Sequence, residues 1–361
     1  MDTELPALTR KGRGAVSNAT ARFECQKRER IDDGWGNTCH EEEPPKLKTT
    51  VTIDTSRTVI ARNDSPDLGF DRSINPYRGC EHGCIYCYAR PSHAFLGLSP
   101  GLDFESRLIA KPAAPELLAE ELAKPGYEVE PIALGSNTDP YQPIEREMRI
   151  TRSILEVLRD FNHPLTITTK STLVLRDLDI LGDMAERNLV QVGISVTTLD
   201  PALARAMEPR APAPRRRLEA IRALSEAGVP TAVMAAPMIP ALNDSELEHI
   251  LEAASEAGAT SASYVLLRLP LEIKDLFDEW LKAHFPERAR HVLSLVRATR
   301  GGRLNDPNFG SRFRGEGPYA ELMRTRFKLA RKRLGLERRN WSLDCSRFKV
   351  PPRAGDQLEL L

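Results

Sequence analysis

Residues 165–196 read LTITTKSTLVLRDLDILGDMAERNLVQVGISV, and this stretch determines the fold class. The β-branched run 165–170 predicts a strand, the leucine and isoleucine spacing of 175–187 predicts a helix, and 190–196 predicts a second strand. Both strands are short and apolar, as expected of strands that are buried on both faces. A strand, a helix and a strand joined by short connections indicate a parallel β-α-β unit.

The same alternation of strands and helices continues on both sides of this unit. No GxGxxG motif follows the first predicted strand, which argues against a dinucleotide-binding fold. Six strands in βα succession predict an α/β protein with a partial (β/α)6 TIM-like barrel, although the pattern alone does not separate an open barrel from a doubly wound sheet. The other predicted strands are a short edge strand at 58–63 and strands at 131–135, 229–236 and 259–269. The other predicted helices are 114–124, 151–161, 214–228, 243–258, 273–284 and 286–299.

Composition suggests three regions in the 361 residues. Residues 1–60 show little apolar periodicity and predict an extended or partly disordered N-terminal arm. Residues 61–300 form the predicted core, and 301–361 form a Gly-rich loop with a basic C-terminal helical extension. The 51 Lys and Arg residues balance 51 Asp and Glu residues, so the total charge indicates no particular partner.

Apolar runs are too short for a transmembrane helix, and the N-terminus lacks the apolar segment of a secretory signal. We therefore expect a cytoplasmic protein without a membrane partner. In a reducing compartment, clustered cysteines more often bind metal or take part in catalysis than form disulfides.

Three of the six cysteines lie together in GCEHGCIYCY, residues 79–88, as Cys80-x3-Cys84-x2-Cys87. Three thiolates in one loop suit an iron–sulfur cluster in which one iron lacks a protein ligand and stays open to another molecule. Two alternatives remain: a Cys3His zinc site that uses His82 or His93, or loop cysteines that bind nothing. The other cysteines, Cys25, Cys39 and Cys345, are isolated in the sequence.

The CxxxCxxC spacing, with the aromatic Tyr86 before the third cysteine, resembles the signature of the radical-SAM superfamily. More narrowly, the chain resembles an uncharacterised bacterial group related to spore photoproduct lyase and often labelled "DNA repair photolyase". This resemblance rests on NPYRGCEHGCIYCYARPSH, GLDFESRLIAK, TDPYQPIE, ITTK, TLDPALARAMEPRAPAPRRRL and YVLLRLP. It implies a [4Fe-4S] cluster on the three cysteines and an electron donor as a partner. It also implies reductive cleavage of S-adenosylmethionine (SAM) to a 5′-deoxyadenosyl radical.

Polar residues follow the predicted strands at the end where barrel enzymes build their active sites. Asn137, Thr138 and Asp139 follow the second strand and are candidates to bind the SAM ammonium; an Asx turn before a proline would also explain them. Lys170 ends the third strand, and the resemblance implies that it pairs with the SAM carboxylate; a solvated lysine is the alternative. Ser195, in the fourth strand, matches a SAM-binding serine of spore photoproduct lyases or is a buried core hydroxyl.

The substrate stays open. Spore photoproduct lyase uses a hydrogen-donating cysteine just before its Thr/Ser-Asp pair, and the matching position here is Asn137. This departure puts thymine-dimer repair in doubt. Weaker candidates near the site are Pro237 and Ile239, which follow the fifth strand, and Arg268, which ends the sixth and either faces the substrate or forms an ion pair.

Basic segments offer DNA or RNA as a candidate partner. Residues 297–353 contain 16 Lys and Arg residues against five Asp and Glu residues, interleaved with Trp341 and Phe348, and Arg210 and Arg215–Arg217 form a second candidate patch. A helix with a solvated basic face is the alternative. The polar loop 302–319 either covers the barrel mouth or docks against the core. A non-catalytic nucleic-acid-binding protein with a structural metal or iron–sulfur site is therefore the alternative function.

Overall fold

This computed structural model describes residues 9–24, 46–337 and 342–352, and within them the chain forms ten strands and eleven α-helices. The strands are β1 Thr50–Ile53, β2 Ala61–Arg62, β3 Arg72–Ile74, β4 Tyr77–Arg78, β5 Arg107–Ala110, β6 Ile132–Leu134, β7 Leu165–Thr169, β8 Val190–Ser195, β9 Thr231–Met238 and β10 Ser261–Leu266. The helices are α1 Leu102–Ser106, α2 Ala114–Leu122, α3 Glu145–Met148, α4 Ile150–Asp160, α5 Leu178–Glu186, α6 Pro201–Met207, α7 Pro214–Glu226, α8 Leu247–Glu256, α9 Ile273–His284, α10 Pro286–Ala298 and α11 Gly317–Arg333.

Six parallel strands form the main sheet, in the order β10-β9-β8-β7-β6-β3, and β2 adds an antiparallel edge beside β3. The spatial order follows the order along the chain without a reversal. A doubly wound sheet reverses its strand order at a switch point. The structure therefore confirms the partial barrel and settles the alternative that the sequence left open.

The short edge strand predicted at 58–63 is observed as β2, whereas the sequence does not predict β3, the first parallel strand of the barrel. The predicted strand at 58–63 supplies only the antiparallel edge β2, whereas β3 pairs in parallel with β6. The sequence hides β3 because it has three residues and begins with an arginine. Arg72 is nevertheless 2% exposed, since it donates hydrogen bonds to Asp71 (2.7 Å) and to the carbonyl of Glu128 (2.5 Å).

The two faces of the barrel strands are not equally buried, contrary to the sequence-based expectation. Along β7, Leu165, Ile167 and Thr169 are buried, whereas Thr166 and Thr168 are only half-buried. The outer face belongs to a large apolar core shared with helices α2, α4, α5, α7 and α8. The inner face lines open space in the barrel, and this space holds the site described below.

A polar clasp joins the two edges of the open barrel. Asp67, in the loop after β2, lies 2.6 Å from Nε of Arg312 and accepts a 2.7 Å hydrogen bond from the backbone of Gly310. The segment that holds these two residues is itself attached to β10, because the backbone of Leu266 donates to the carbonyl of Phe313. Side chains rather than a strand ladder therefore close this end of the barrel.

Part of the N-terminal arm packs tightly against the body of the protein. Residues 9–24 contain no helix or strand, yet Arg13, Ala15 and Val16 are buried. Predictions for 1–8 and 25–45, including Cys25 and Cys39, fall outside the described residues. A search of the described helices for one able to cross a bilayer found no candidate.

Candidate active site

The loop 80–87 carries the three clustered cysteines and begins directly after β4. Backbone hydrogen bonds from Gly83 to Cys80, from Cys87 to Cys84 and from Arg90 to Cys87 wind it into successive tight turns. Gly83 has a φ of +68°, a backbone conformation that glycine adopts without steric penalty. A small sheet of β1, β5 and β4 supports the start of this loop.

A buried ion pair between Arg90 and Glu105 holds the cysteine loop in place. Arg90 donates to the carbonyls of Gly83 (3.0 Å) and Cys84 (2.8 Å), and it pairs with Glu105 at 2.5 Å. The same carboxylate accepts hydrogen bonds from the backbone of Gly14 (2.9 Å) and Ala15 (2.8 Å). The carboxylate of Glu105, which belongs to α1, therefore holds both the N-terminal segment and the cysteine loop in place.

The cysteine loop and the carboxyl ends of the barrel strands enclose a cavity of about 220 Å³. All nine side chains assigned to a site from the sequence line this cavity. They are Cys80, Cys84, Tyr86, Cys87, Asn137, Thr138, Asp139, Lys170 and Ser195. Residues up to 115 positions apart, counting from Cys80 to Ser195, thus meet in one place because parallel strands end at the same edge.

Asp139 ties two strand ends together. Its carboxylate accepts hydrogen bonds from Tyr141 N (2.9 Å), Thr169 Oγ1 (2.6 Å) and Lys170 N (2.8 Å), and it lies 3.2 Å from Nδ1 of His82. Burial raises the pKa of Asp139, but His82 and these hydrogen bonds outweigh burial and lower the pKa to about 2. The bond to Tyr141 N is the Asx turn that the sequence offered as the alternative, so Asp139 brings a fixed negative charge to the cavity wall.

Lys170 brings a cation to the cavity wall. Its Nζ lies 5.7 Å from the centre of the Tyr86 ring, and among the described residues it has no hydrogen-bond or ion-pair partner. Burial lowers the pKa of Lys170, but the nearby Cys84 and Glu208 outweigh burial and raise it. The group therefore stays protonated and is available to an anionic ligand.

Glu208 is a residue near the site that the sequence does not predict. It holds Tyr86, Thr197 and Arg217 together on the side of the cavity away from Asp139 by hydrogen bonds and an ion pair. Its carboxylate accepts from the hydroxyls of Tyr86 and Thr197 and pairs with Arg217, which also donates to the carbonyl of Ser195 at 3.1 Å. The sequence analysis grouped Arg217 with an exposed basic patch, and that assignment is wrong. Helical spacing could have found it, because positions 217, 221 and 224 share the buried face of α7.

Further side chains line the mouth of the cavity, and they include Arg268 and Pro237, which the sequence offered as weaker candidates. Tyr88, Arg268 and Phe313 line the cavity, and Pro237 contributes to its wall, whereas Ile239 packs in a separate apolar core. Burial and the neighbouring Arg312 lower the pKa of Arg268. Phe313 shows that the loop 302–319 both reaches the mouth and docks on the barrel.

The two histidines of the zinc alternative have other partners. His82 faces Asp139, and Nε2 of His93 lies 3.0 Å from the carbonyl oxygen of Arg107. Among the described residues, no three His, Cys, Asp or Glu side chains are placed to hold a single metal ion. Cys345 lies apart from the cavity, in a short turn of the C-terminal segment.

Several arginines of the predicted basic patches form ion pairs. In the C-terminal extension, the apolar face of α11 is buried and several arginines pair with carboxylates, which fits the alternative of a solvated basic helix. Those pairs are Arg324–Glu321, Arg326–Glu248, Arg331–Glu337, Arg333–Glu252 and Arg347–Asp344. Phe348 packs against Tyr127 and His163, and Trp341 lies outside the described residues. Arg210 pairs with Glu81 at 3.1 Å, and Arg215 and Arg216 pair with Glu219.

Comparison with known families identifies the superfamily of this chain. Residues 74–254, half of the chain, match the profile of the Radical SAM superfamily. The chain belongs to the radical SAM superfamily. The matched residues contain the cysteine loop and the four parallel strands β6 to β9, so the protein is a radical SAM enzyme whose substrate is not given by the family.

Several proteins resemble the chain over most of its length. An uncharacterized protein of Mycobacterium tuberculosis is 38% identical over 232 residues, which cover 64% of this chain and 68% of the relative. Spore photoproduct lyase complexed with dinucleoside spore photoproduct superposes with a TM-score of 0.56 at 15% identity over 79% of each chain. A mutant of that enzyme with bound AdoMet and the same dinucleoside gives 0.55 at 14% identity, covering 79% of this chain and 78% of the other. At these identities the likeness shows a shared fold.

Proposed function

We propose that this enzyme binds a [4Fe-4S] cluster through Cys80, Cys84 and Cys87 and binds SAM in the adjoining cavity. The observation that carries the proposal is the convergence of all nine sequence-assigned side chains on a single cavity. Support also comes from the superposed lyase, whose structure holds AdoMet.

The chemistry of the donor set fits an iron–sulfur cluster. Burial, with repulsion from neighbouring acidic groups, raises the pKa of Cys80 well above its usual range and that of Cys84 to about 12. The protein alone therefore does not stabilise three thiolates in this loop. A bound metal centre deprotonates its thiol ligands outright, which supplies the missing stabilisation.

When bound, the cluster and SAM would together supply a 5′-deoxyadenosyl radical that removes a hydrogen atom from the substrate. Three residues of the chain would hold SAM in place. Lys170 would pair with its carboxylate, and Asn137, whose side chain has no hydrogen-bond partner among the described residues, would contact its polar groups. The Ser195 hydroxyl, which donates weakly to the carbonyl of Ala236 at 3.3 Å, retains the capacity for a further hydrogen bond.

The walls of the cavity would protect a reactive radical from water. Apolar side chains of Met234, Val265 and Leu267 face the cavity beside the ring of Tyr86. Exclusion of side reactions is the part of such chemistry that a protein must provide.

A nucleic acid is the proposed substrate class, in line with the dinucleoside that the superposed lyase binds. Repair by the thiol-dependent route of that lyase is not part of the proposal. Among the described residues that line the cavity, the only thiols are the three proposed cluster ligands, and Asn137 occupies the position of the donor cysteine.

Anaerobic reconstitution with iron and sulfide tests this function. The reduced protein should give a cluster EPR signal that changes when SAM is added, and 5′-deoxyadenosine should form in the same sample. Cys84→Ala should lose both properties, while the matched control Cys345→Ala should keep them. A cluster that is indifferent to SAM, or equal SAM cleavage by Cys84→Ala, would refute the proposal.

A further inference from the structure

We propose that the rim ladder, defined as Tyr88, Arg268, Phe313, Arg312 and Phe309, binds a single-stranded nucleic acid at the mouth of the cavity. An unstacked base would lie against its aromatic rings, and a backbone phosphate would pair with Arg268. This inference rests on the proposed function, because it names how the substrate of that same cavity is recognised.

The rim ladder alternates rings and guanidinium groups in one continuous row. The guanidinium carbon of Arg268 lies 5.5 Å from the centre of the Tyr88 ring and 5.0 Å from that of Phe313. Arg312 lies 4.8 Å from the Phe313 ring and 4.7 Å from the Phe309 ring. The row runs from the residue next to Cys87 outward to the surface.

Both ends of the row are available to a ligand. Phe309 is 57% exposed and Tyr88 is 49% exposed, so a ligand can reach both rings from solvent. The two arginines differ in their partners. Arg312 is neutralised by Asp67, whereas Arg268 has no carboxylate or hydrogen-bond acceptor among the described residues. Arg268 is therefore the arginine of the rim ladder whose guanidinium group is available to an anionic ligand.

A buried arginine holds the ladder in place before any ligand binds. Arg300 donates to the carbonyls of Ser311 (3.2 Å) and Arg312 (2.7 Å), and also to those of Leu266 (2.8 Å) and Leu267 (3.0 Å) at the end of β10. These bonds lock the loop that carries Phe309 and Phe313 onto the barrel. Less conformational freedom is then lost on binding, which strengthens it.

The chemistry of the row favours a nucleotide strand over other polymers. Every nucleobase has a planar face that stacks on an aromatic ring or a guanidinium plane, and each nucleotide brings one phosphate. A base inside a duplex cannot offer that face, so we infer a single strand or an extruded base. DNA and RNA share this chemistry, and the experiment distinguishes them.

Fluorescence anisotropy of the reconstituted enzyme tests the inference, using a short fluorescein-labelled strand of mixed sequence as DNA, as RNA and as the DNA duplex. The single strands should bind more tightly than the duplex. Whichever of the DNA and RNA strands has the higher affinity is the nucleic acid that the rim ladder prefers. Phe309→Ala should weaken binding by about 5- to 100-fold, the range found when a stacking ring is removed. Arg268→Gln should make the slope of log affinity against log salt shallower by about 0.7, the value for one phosphate contact on a single strand.

Matched controls separate this effect from general loss of charge or of an exposed ring. Phe95 is also exposed and also lies near an arginine, Arg22, but it is not part of the rim ladder, so Phe95→Ala should bind normally. Lys332→Gln removes an exposed charge from α11 and should leave the salt slope unchanged. Equal binding by Phe309→Ala and Phe95→Ala, an unchanged slope in Arg268→Gln, or duplex binding as tight as single-strand binding would overturn the inference. SAM cleavage by the wild-type enzyme without nucleic acid is scored separately, so failure of the proposed function stays distinguishable.

Discussion

Lys170 combines burial against an aromatic ring with an ammonium group that has no protein partner in the described structure. Burial of a cation is unfavourable unless a counter-ion arrives, so the site is more stable with an anionic ligand than without one. The SAM carboxylate is the counter-ion that the proposed function supplies.

Lys170→Gln should therefore weaken SAM binding by about 10- to 100-fold, the effect of losing a charged hydrogen bond. Anaerobic isothermal titration calorimetry measures this change, and iron content should stay at the wild-type level. Lys274→Gln, at an exposed position of α9, serves as the control. An unaltered dissociation constant in Lys170→Gln would show that the ammonium group does not contact SAM.

Gly14 lies in the N-terminal segment directly beneath the cysteine loop. A Cβ atom at this position would come within 1.9 Å of the carbonyl oxygen of Gly83, which stands between Cys80 and Cys84. No side chain fits there unless the loop moves.

Gly14→Ala should consequently displace the loop, lower the iron retained after reconstitution and destabilise the protein by about 1–3 kcal/mol. Iron and sulfide analysis with a thermal melt measures both effects. Gly69→Ala is the control, because a Cβ atom there meets nothing within 4 Å. Wild-type iron content in Gly14→Ala would mean that the segment does not support the cluster loop.

At the scale of elements, the sequence predicted most helices and strands to within a few residues. The amphipathic helix predicted at 151–161 is observed as Ile150–Asp160, and the helix predicted at 273–284 has the same limits in the structure. These elements were predictable because one apolar face is buried in a hydrophobic core along their length. The strand β3 was not, since a buried arginine satisfied by distant partners interrupts the apolar pattern.

The residues of the site also divide into those that the sequence predicted and those that it did not. Those at strand ends were predictable, because the position of a residue in a βα unit fixes the edge at which it lies. Glu208 and most of the rim ladder were not, because they depend on how loops and helices far apart in sequence meet. Arg268 is the exception, since it lies at the end of a predicted strand. Only the side chains that surround Arg217 explain why an arginine occupies the apolar face of α7.

Arg300 holds the loop that follows α10 by donating to four backbone carbonyls. Burial lowers its pKa to about 10, so it remains charged at neutral pH. Removing the guanidinium group leaves these acceptors without donors, which is costly in a buried site.

Arg300→Met should release this loop, speeding amide hydrogen exchange across 304–315 while SAM cleavage without substrate persists. Hydrogen-exchange mass spectrometry and a 5′-deoxyadenosine assay measure the two effects. Arg303→Met, at an exposed position in the same loop, should match the wild type. Unchanged exchange in Arg300→Met would show that other contacts suffice to hold the loop.

At the scale of the whole molecule, the C-terminal segment 342–352 returns to the first half of the chain. Phe348 contacts the ring of His163, which is fully buried and whose Nε2 lies 2.9 Å from the hydroxyl of Tyr127. Nδ1 lies 2.9 Å from the carbonyl oxygen of Pro164, so the neutral ring donates from Nδ1 and accepts at Nε2.

Burial lowers the pKa of His163 to about 4, below its ordinary 6.5. The folded state therefore binds a proton less readily than the unfolded state, and its stability is full above pH 6.5 and falls as the pH drops toward 4. The loss should total about 3 kcal/mol, from 1.36 kcal/mol per pKa unit. Urea unfolding across this range should show a shallower pH dependence in His163→Gln, while His249→Gln, at an exposed site, should follow the wild type. Identical curves for all three proteins would contradict this origin of acid sensitivity.

The clasp of Asp67 with Arg312 and Gly310 has a consequence for how this scaffold can diverge. A barrel closed by paired strands ties the length of each edge to the register of its neighbours, and an inserted residue moves every side chain to the other face. Here an ion pair and one backbone hydrogen bond span the gap, and neither imposes a register. The segment 302–316 can therefore change length and composition without shifting the cysteine loop. Related proteins can differ in this segment, and so in the substrate that they recognise, while the radical chemistry at the cysteine loop stays the same.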